Sequence, residues 1–243
     1  MKKRQKIRSS IIAISFFLFP ATYFYFSPYM VIEGTLNRVI CGSFIFFLFL
    51  FVQALFLGRA FCGWVCPAGG GQDIITGIHS TKITKGKWLK WLIWIPWIAT
   101  IVALAIKNNG YEKIVPFYQT TNGLSIDEAH DLIVYLIVLG LILVPAFIFG
   151  RRAFCHTICW IAPFMIIGRK IRNLLHLPAL QLKSTSVKCT NCSLCTQKCP
   201  MSLPVEQMVN REKMEHVDCI LCGQCIDNCR SQAIRFDFGQ HTA

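Results

Sequence analysis

The chain has 243 residues, of which 54% are hydrophobic and only 15% charged, and its formal net charge is +13. Ordinary soluble domains are less apolar and about a quarter charged, so the composition excludes that class and indicates a protein partly surrounded by lipid. A basic chain can also bind nucleic acid, but the positions of the basic residues argue against that partner.

Four apolar segments in the first two thirds of the chain each approach the ~20 residues that a helix needs to cross a bilayer. They cover residues 7–26, 38–57, 88–106 and 132–149. The first follows five basic residues, as a signal peptide would. It lacks a small-residue cleavage site, so we interpret it as an anchor. The sequence therefore predicts a mainly α membrane protein with four transmembrane helices.

The basic residues between these segments predict the orientation. Seventeen lie on one side: five before the first segment, five in residues 58–90 and seven in residues 150–188. Three lie on the other side, namely Arg38, Lys107 and Lys113. Because loops rich in Lys and Arg stay inside, we expect a multi-pass protein of the cell (inner) membrane with both termini and all clusters cytoplasmic. Membrane lipid is then one partner, and nucleic acid is not.

An internal repeat marks the ends of the second and fourth segments. Both read R-A-F-C-x3-C, with Cys62 and Cys66 in the first copy and Cys155 and Cys159 in the second. Each half is predicted to be a helical hairpin followed by this motif. A two-fold-like arrangement of the hairpins would bring the two cysteine pairs together.

The last fifty or so residues are polar and cysteine-rich, with two runs of C-x2-C-x2-C-x3-C. This is the spacing of bacterial two-cluster ferredoxins, in which the fourth cysteine of each run binds the other [4Fe–4S] cluster. The predicted ligands of cluster 1 are Cys189, Cys192, Cys195 and Cys229. The predicted ligands of cluster 2 are Cys219, Cys222, Cys225 and Cys199. Zinc is the alternative, but zinc usually takes two C-x2-C pairs, whereas each run here has four cysteines.

The predicted organisation has three parts. Residues 1–168 form the four-helix transmembrane domain, residues 169–187 a basic linker along the membrane surface, and residues 188–243 a small α+β ferredoxin-like domain. Cys41 stands outside every cysteine group of this chain and is predicted to be a small buried hydrophobe in the second helix.

The four cysteines of the repeat are enough to hold a third [4Fe–4S] cluster at the membrane surface. The glycine run 69–71 could donate backbone N–H groups to its sulfides. Two alternatives remain, a pair of redox-active dithiols or a docking surface without metal. His156 lies inside the second pair and could be a ligand or a proton carrier, but the interpretation as a surface histidine next to anionic clusters is favoured.

No further cofactor or catalytic group is visible in the sequence. None of the six histidines lies within a predicted span, so no pair can hold a b-type haem. No G-x-G-x-x-G follows a strand, and no P-loop is present, so there is no nicotinamide or flavin motif. We therefore predict no catalytic residue beyond the redox ligands.

The order of these motifs resembles that of the NapH-type membrane ferredoxins, whose core NosR and CcoG proteins share. The resemblance covers nearly the whole chain. It implies a quinol dehydrogenase subunit that passes electrons from the quinol pool toward a reductase through a partner. The family has C-x3-C-P at both sites. Here Pro67 follows Cys66, but Trp160 follows Cys159, and Pro163 comes later.

Three functions are consistent with these motifs. The first is an electron-transfer subunit that links the quinol pool or a membrane partner to a redox protein. The second is a metal or thiol reductase used in the assembly or maturation of another protein, as in CcoG. The third is a membrane redox sensor. Two closely spaced clusters favour the first, and the sequence names neither donor, acceptor nor direction.

Overall fold

The computed structural model describes residues 2–77, 80–83, 86–120, 123–125 and 129–240, and it is mainly helical. The helices are α1 (Lys3–Phe17), α2 (Phe19–Thr22), α3 (Pro28–Leu36), α4 (Gly42–Leu57), α5 (Ala60–Trp64), α6 (Pro67–Thr76), α7 (Leu89–Lys107), α8 (Ala129–Phe149), α9 (Ala153–Thr157), α10 (Ala162–Leu174), α11 (Leu194–Gln197), α12 (Val205–Asn210) and α13 (Gln224–Asp227). The strands are β1 (Val39–Cys41), β2 (Lys113–Val115), β3 (Ala179–Ser184) and β4 (Ile234–Gly239). Lys85, counted above in the charge bias, lies outside the described residues.

Two helices are long and apolar enough to cross a membrane, α7 and residues His130–Phe149 of α8. They correspond to the third and fourth predicted segments. The first predicted segment forms a pair of helical pieces, Lys3–Phe17 and Phe19–Phe26, bent by 60°. The second begins with β1 and continues as α4, an apolar helix of 16 residues, which is about 24 Å long at 1.5 Å per residue. Cys41 is buried as predicted, but it ends β1 and does not lie in the helix. The described residues thus contain two candidate spans, or three if the bent pair is one span.

One end of the helical part is closed by a short parallel ladder in which β1 pairs with β2, with Val39 opposite Lys113. The amide of Glu112 donates to the Arg38 carbonyl at 2.8 Å. The Asn108 side chain donates to the Thr35 carbonyl at 3.0 Å. The three basic residues expected on the outer side therefore lie at the same end of the molecule.

The opposite end carries the cysteine motifs. In both halves a long helix leads into a short helix that holds the first cysteine, α5 after α4 and α9 after α8. A third helix follows each motif, and each has a proline in its first turn: α6 starts at Pro67, directly after Cys66, and α10 starts at Ala162 with Pro163 as its second residue. The second loop is therefore longer than the first, in line with Trp160 in place of proline after Cys159.

The glycines of α6 permit close helix packing. A Cβ on Gly71 would lie 2.8 Å from both Leu143 of α8 and the ring of Phe16 of α1. A Cβ on Gly70 would lie 2.9 Å from the Ile12 carbonyl oxygen. These contacts seat α6 between α1 and α8.

The cysteine-rich part is built around the antiparallel pair β3 and β4, in which Ala179 is opposite Gly239 and Ser184 opposite Ile234. The segment predicted as a linker contains the end of α10 and all of β3. The two cysteine runs share one backbone form, with positive φ at Asn191 and Ser193 in the first run and at Leu221 and Gly223 in the second. Each run then enters a one-turn helix, and these helices, α11 and α13, pack together.

Candidate iron–sulfur sites

The four cysteines predicted to bind cluster 2 line one cavity, Cys199 from the first run and Cys219, Cys222 and Cys225 from the second. Each is 8% exposed. Burial raises the pKa of the Cys199 thiol to about 12, and the neighbouring Cys222 and Cys219 add to the effect. Four thiolates this close are costly without a positive counter-charge, which the irons of a cluster would supply. The cavity therefore fits a cluster with crossed ligands.

The cysteines predicted to bind cluster 1 lie nearer the surface. Cys192 is exposed, and Cys189 and Cys229 are half-buried, whereas Cys195 is 9% exposed. Burial raises the pKa of Cys195, and Cys189 contributes. The two predicted sites thus differ in solvent access, and cluster 1 would be the outer one.

The structure also brings the two copies of the R-A-F-C-x3-C motif together. Cys62, Cys66, Cys155 and Cys159 are each 5–6% exposed. Burial raises the pKa of Cys159 to about 12, with additional repulsion from Cys155 and Cys62. The same physical argument as for the ferredoxin cavity applies, so these four thiols fit a cluster as well.

Three further groups contact these thiols. The Gln72 side chain, fully buried on α6, donates from Nε2 to Cys155 Sγ at 3.1 Å. The Met165 Sδ lies 3.4 Å from Cys62 Sγ. Burial and the neighbouring thiols raise the pKa of Cys66, and a hydrogen bond from the Gly69 amide offsets part of that rise. The glycine run therefore has two roles, one in packing and one toward sulfur. Sequence reasoning missed Gln72, whose signal is an amide on an otherwise small and apolar stretch.

The number of cysteines in each ferredoxin run bears on which metal the run would hold. Over the described part of the chain, no three His, Cys, Asp or Glu side chains form a group that could hold one metal ion. Zinc usually takes two C-x2-C pairs, whereas each run has four cysteines, and the four ligands of a cubane bind four different irons. The cysteine count of each run is therefore typical of [4Fe–4S] clusters.

The arginine of each repeat copy is buried against an aspartate. Arg59, 1% exposed, places Nη1 3.3 Å from Asp218 Oδ1. Arg152, fully buried, donates to the two oxygens of Asp73 at 2.7 and 2.8 Å and to the Cys62 carbonyl at 2.8 Å. Both cations lie beside the repeat cysteines, where they offset negative charge. The shared R-A-F-C letters were the available signal for this role.

The first repeat copy contacts the second ferredoxin run directly. Trp64 Nε1 donates to the Leu221 carbonyl at 3.0 Å. A Cβ on Gly63 would lie only 2.2 Å from the Ile220 carbonyl oxygen. From α1, Gln5 Nε2 donates to the Cys222 carbonyl at 3.1 Å. The first pair of repeat cysteines and the predicted cluster 2 cysteines are therefore on neighbouring loops.

Buried ion pairs hold this contact together. The Lys90 ammonium lies 3.0 Å from Asp218 Oδ1, and both side chains are 3% exposed. Arg169 binds both oxygens of Glu215, at 2.5 and 2.6 Å, and donates to the Cys219 carbonyl at 2.9 Å. Burial opposes ionisation of Glu215, but Arg169 and then Arg172 outweigh it and lower its pKa to about 2. Several basic residues that predicted topology thus also bind the ferredoxin part.

The expectation that His156 is a surface residue is wrong. Its side chain is fully buried, and neither ring nitrogen has a hydrogen-bond partner among the residues that the structure describes. Burial lowers its pKa to about 3, so the ring is neutral. The cause is the packing of the second repeat copy under the ferredoxin part, which a sequence-local pattern does not reveal.

Comparisons with known proteins identify iron–sulfur binding domains in the parts of the chain that carry the cysteine groups. A 4Fe-4S binding domain model matches residues 36–86 and 131–178, and a 4Fe-4S dicluster domain model matches residues 188–234. The first model thus covers each repeat copy separately, and the second covers both ferredoxin runs. No solved structure matches the chain.

Similar proteins occur in archaea and bacteria. An uncharacterized protein of Methanocaldococcus jannaschii is 27% identical over 86% of this chain and 82% of its own length. The putative electron transport protein YccM of Escherichia coli is 21% identical over 83% of this chain and 57% of its own. The ferredoxin-type protein NapH of Haemophilus influenzae is 25% identical over 73% of this chain and 62% of its own. These matches and the two domain models support iron–sulfur electron transfer, and the chain is a NapH-like 4Fe–4S protein.

Proposed function

We propose that the chain is a membrane-bound electron wire of three [4Fe–4S] clusters. Electrons pass between a membrane-side cluster, cluster 2 and cluster 1, and cluster 1 exchanges them with a redox protein. The single observation that carries this order is the contact of the Cys62–Cys66 loop with the second ferredoxin run, through Gly63 on Ile220 and Trp64 on Leu221. Electron transfer requires that the cofactors lie close together, and that contact supports a short distance between the membrane-side cluster and cluster 2.

The proposed ligands are those the sequence predicted. Cys62, Cys66, Cys155 and Cys159 hold the membrane-side cluster. The ferredoxin cysteines hold clusters 1 and 2 with the crossed pattern, which the shared cavity of Cys199 and the second run supports. The burial of the four membrane-side thiols to 5–6% exposure disfavours the alternative of a thiol reductase, because a protein disulfide could not reach them.

In the membrane, α7 and α8 are two of four proposed spans, with the bent N-terminal pair and α4 as the others. The clusters and both termini are proposed to be cytoplasmic. The grouping of Arg38 and Lys113 at the end opposite the cysteines supports this orientation, since the far more numerous basic residues lie at the cysteine end.

An apolar cleft of about 320 Å³ between α4, α7 and α10 is a candidate entry point for a quinol. Trp94 and Phe164 both line it. The buried Nε1 of Trp94 has no partner among the described residues, so it could donate to a quinone carbonyl. Phe164 is next in sequence to Met165, which contacts Cys62 Sγ. Neighbouring residues of α10 therefore contact the cleft and the membrane-side thiols.

Iron content of the anaerobically reconstituted full chain tests the proposal. We expect about twelve irons per chain, falling by about four in Cys62→Ser. Cys41→Ser is the matched control, because Cys41 is also buried but donates to the Met30 carbonyl and lies outside the cysteine groups. A content of about eight irons that Cys62→Ser leaves unchanged would remove the third cluster. The repeat cysteines would then be a pair of redox-active dithiols or a docking surface without metal.

The full chain reconstituted in liposomes distinguishes electron transfer with quinone from the reductase alternative. A wire predicts that a water-soluble quinone analogue oxidises prereduced clusters, as followed by electron paramagnetic resonance. If instead Cu(II) or a disulfide is reduced at a rate independent of quinone, the reductase alternative is correct.

A further inference from the structure

Three acidic residues of the ferredoxin part bind basic side chains from the helical part of the molecule. Asp218 binds Lys90 and Arg59, and Glu215 binds Arg169. Asp227 accepts a hydrogen bond from the Gln5 side chain at 2.6 Å and lies 3.3 Å from the Arg4 guanidinium. These three carboxylates therefore contribute little negative charge to the outer surface.

The basic residues of the same part face outward. Six are exposed and have no ion pair among the residues that the structure describes: Lys188, Lys198, Arg211, Lys213, Arg230 and Arg235. Asp237 pairs with Lys183 at 2.9 Å, which leaves Glu212 as the exposed carboxylate near them. The outer face of the ferredoxin part is thus positive although the part as a whole is not.

Four of these cations surround the exposed end of the predicted cluster 1 site, and we define them as the basic rim: Lys188, Arg211, Lys213 and Arg230. Lys188 precedes Cys189, and Arg230 follows Cys229.

Two contacts bring the other two rim residues to the same place. Asn210 Nδ2 donates to Asn191 Oδ1 at 2.9 Å, beside Cys192. Glu212 accepts hydrogen bonds from the amide and hydroxyl of Ser186, both at 2.8 Å. Arg211 and Lys213, on either side of Glu212, are therefore held next to the loop that enters cluster 1.

We infer that the basic rim docks a soluble redox protein whose own cofactor is surrounded by acidic residues. Complementary charge steers such a partner to cluster 1, the outermost of the predicted sites. The inference rests on the proposed function, since it names the partner for the outer end of the wire. One electron crosses between the partner's cofactor and cluster 1. One centre loses one electron and the other gains it, and no bond is formed or broken and no proton is transferred.

A kinetic test uses the full chain in nanodiscs of zwitterionic lipid and a reduced acidic [2Fe–2S] ferredoxin as the probe. Stopped-flow absorbance follows reduction of the clusters as salt is varied. Arg211→Glu/Lys213→Glu should lower the bimolecular rate about tenfold or more at low ionic strength and weaken its salt dependence. Neither residue adjoins a predicted ligand, and Lys107→Glu/Lys113→Glu, at the opposite end, is the matched control.

The outcomes separate the inference from the proposed function. Reduction by methyl viologen should be equal in all variants, which shows that the clusters are intact. If viologen reduces no cluster, the proposed wire is wrong. If viologen reduces the clusters but charge reversal leaves the ferredoxin rate unchanged, the docking surface is wrong. If charge reversal changed the rate of cluster reduction only in nanodiscs of anionic lipid, the basic rim would bind lipid head groups and not the redox protein.

Discussion

Gly63 lies directly beneath Ile220, so that a Cβ on the glycine would be 2.2 Å from the Ile220 carbonyl oxygen. No side chain fits between the membrane-side cysteine loop and the second ferredoxin run at this point. The absence of a side chain at position 63 therefore sets how closely the two loops approach each other.

Gly63→Ala should separate the loops and destabilise the protein by about 1–3 kcal/mol, as overpacking of a tight contact does. Thermal unfolding in detergent measures the loss, and magnetic coupling between the reduced clusters should weaken in electron paramagnetic resonance. Gly140→Ala in α8 is the control, since its Cβ would meet nothing within 4 Å. Equal behaviour of the two variants would show that the contact does not limit the approach.

Asp218→Asn should destabilise the protein by roughly 3–5 kcal/mol, because it leaves Arg59 and Lys90 buried without a counter-charge. Asp237→Asn, which removes an exposed pair with Lys183, should change the unfolding temperature little. Chemical denaturation followed by tryptophan fluorescence compares the two. Similar small losses of stability in both variants would mean that other groups neutralise the charges of Arg59 and Lys90.

Glu215→Gln should lower stability at neutral pH by on the order of 2–3 kcal/mol, since the carboxylate pKa falls from 4.5 to about 2 in the folded protein. A depressed pKa means that this stabilisation is present above about pH 4.5 and is lost as pH falls toward 2. The difference between variant and wild type should therefore shrink over that range. A difference that stays constant with pH would assign it to packing.

Trp94→Phe should weaken the apparent affinity for a quinone analogue by about tenfold, the usual effect of losing one hydrogen bond in an apolar site. Oxidation of prereduced clusters in liposomes, measured against quinone concentration, gives the affinity. Trp88→Phe serves as the control, because Trp88 is 66% exposed and does not line the cleft. Unchanged affinity in Trp94→Phe would place quinone elsewhere.

The sequence predicts the cysteine groups well because metal ligation demands a spacing that is visible in the letters. It also predicts α7 and α8, since an apolar run of about 20 residues has few other structures. It does not reveal that Lys90 and Arg169 bind carboxylates more than forty residues away, because such pairs leave no local pattern. The buried state of His156 was missed for the same reason.

The arginines of the repeat are an intermediate case. Their recurrence before Cys62 and Cys155 is evident in the sequence, but a basic residue at a helix end already has a topological explanation. Only the burial of Arg59 and Arg152 against aspartates shows a second role. Repeated polar residues beside repeated ligands therefore merit a structural interpretation even when charge bias accounts for them.

The hydrogen bond from Gln5 to the Cys222 carbonyl joins residues 217 positions apart. Gln5 is thus synthesised well before the residue that it contacts, and the contact can form only once the second cysteine run has been made. Docking of the ferredoxin part onto α1 is consequently a late event in biogenesis, after synthesis of the helices up to α10. A bulky insertion beside Gln5 would obstruct that step while leaving the cysteine ligands untouched.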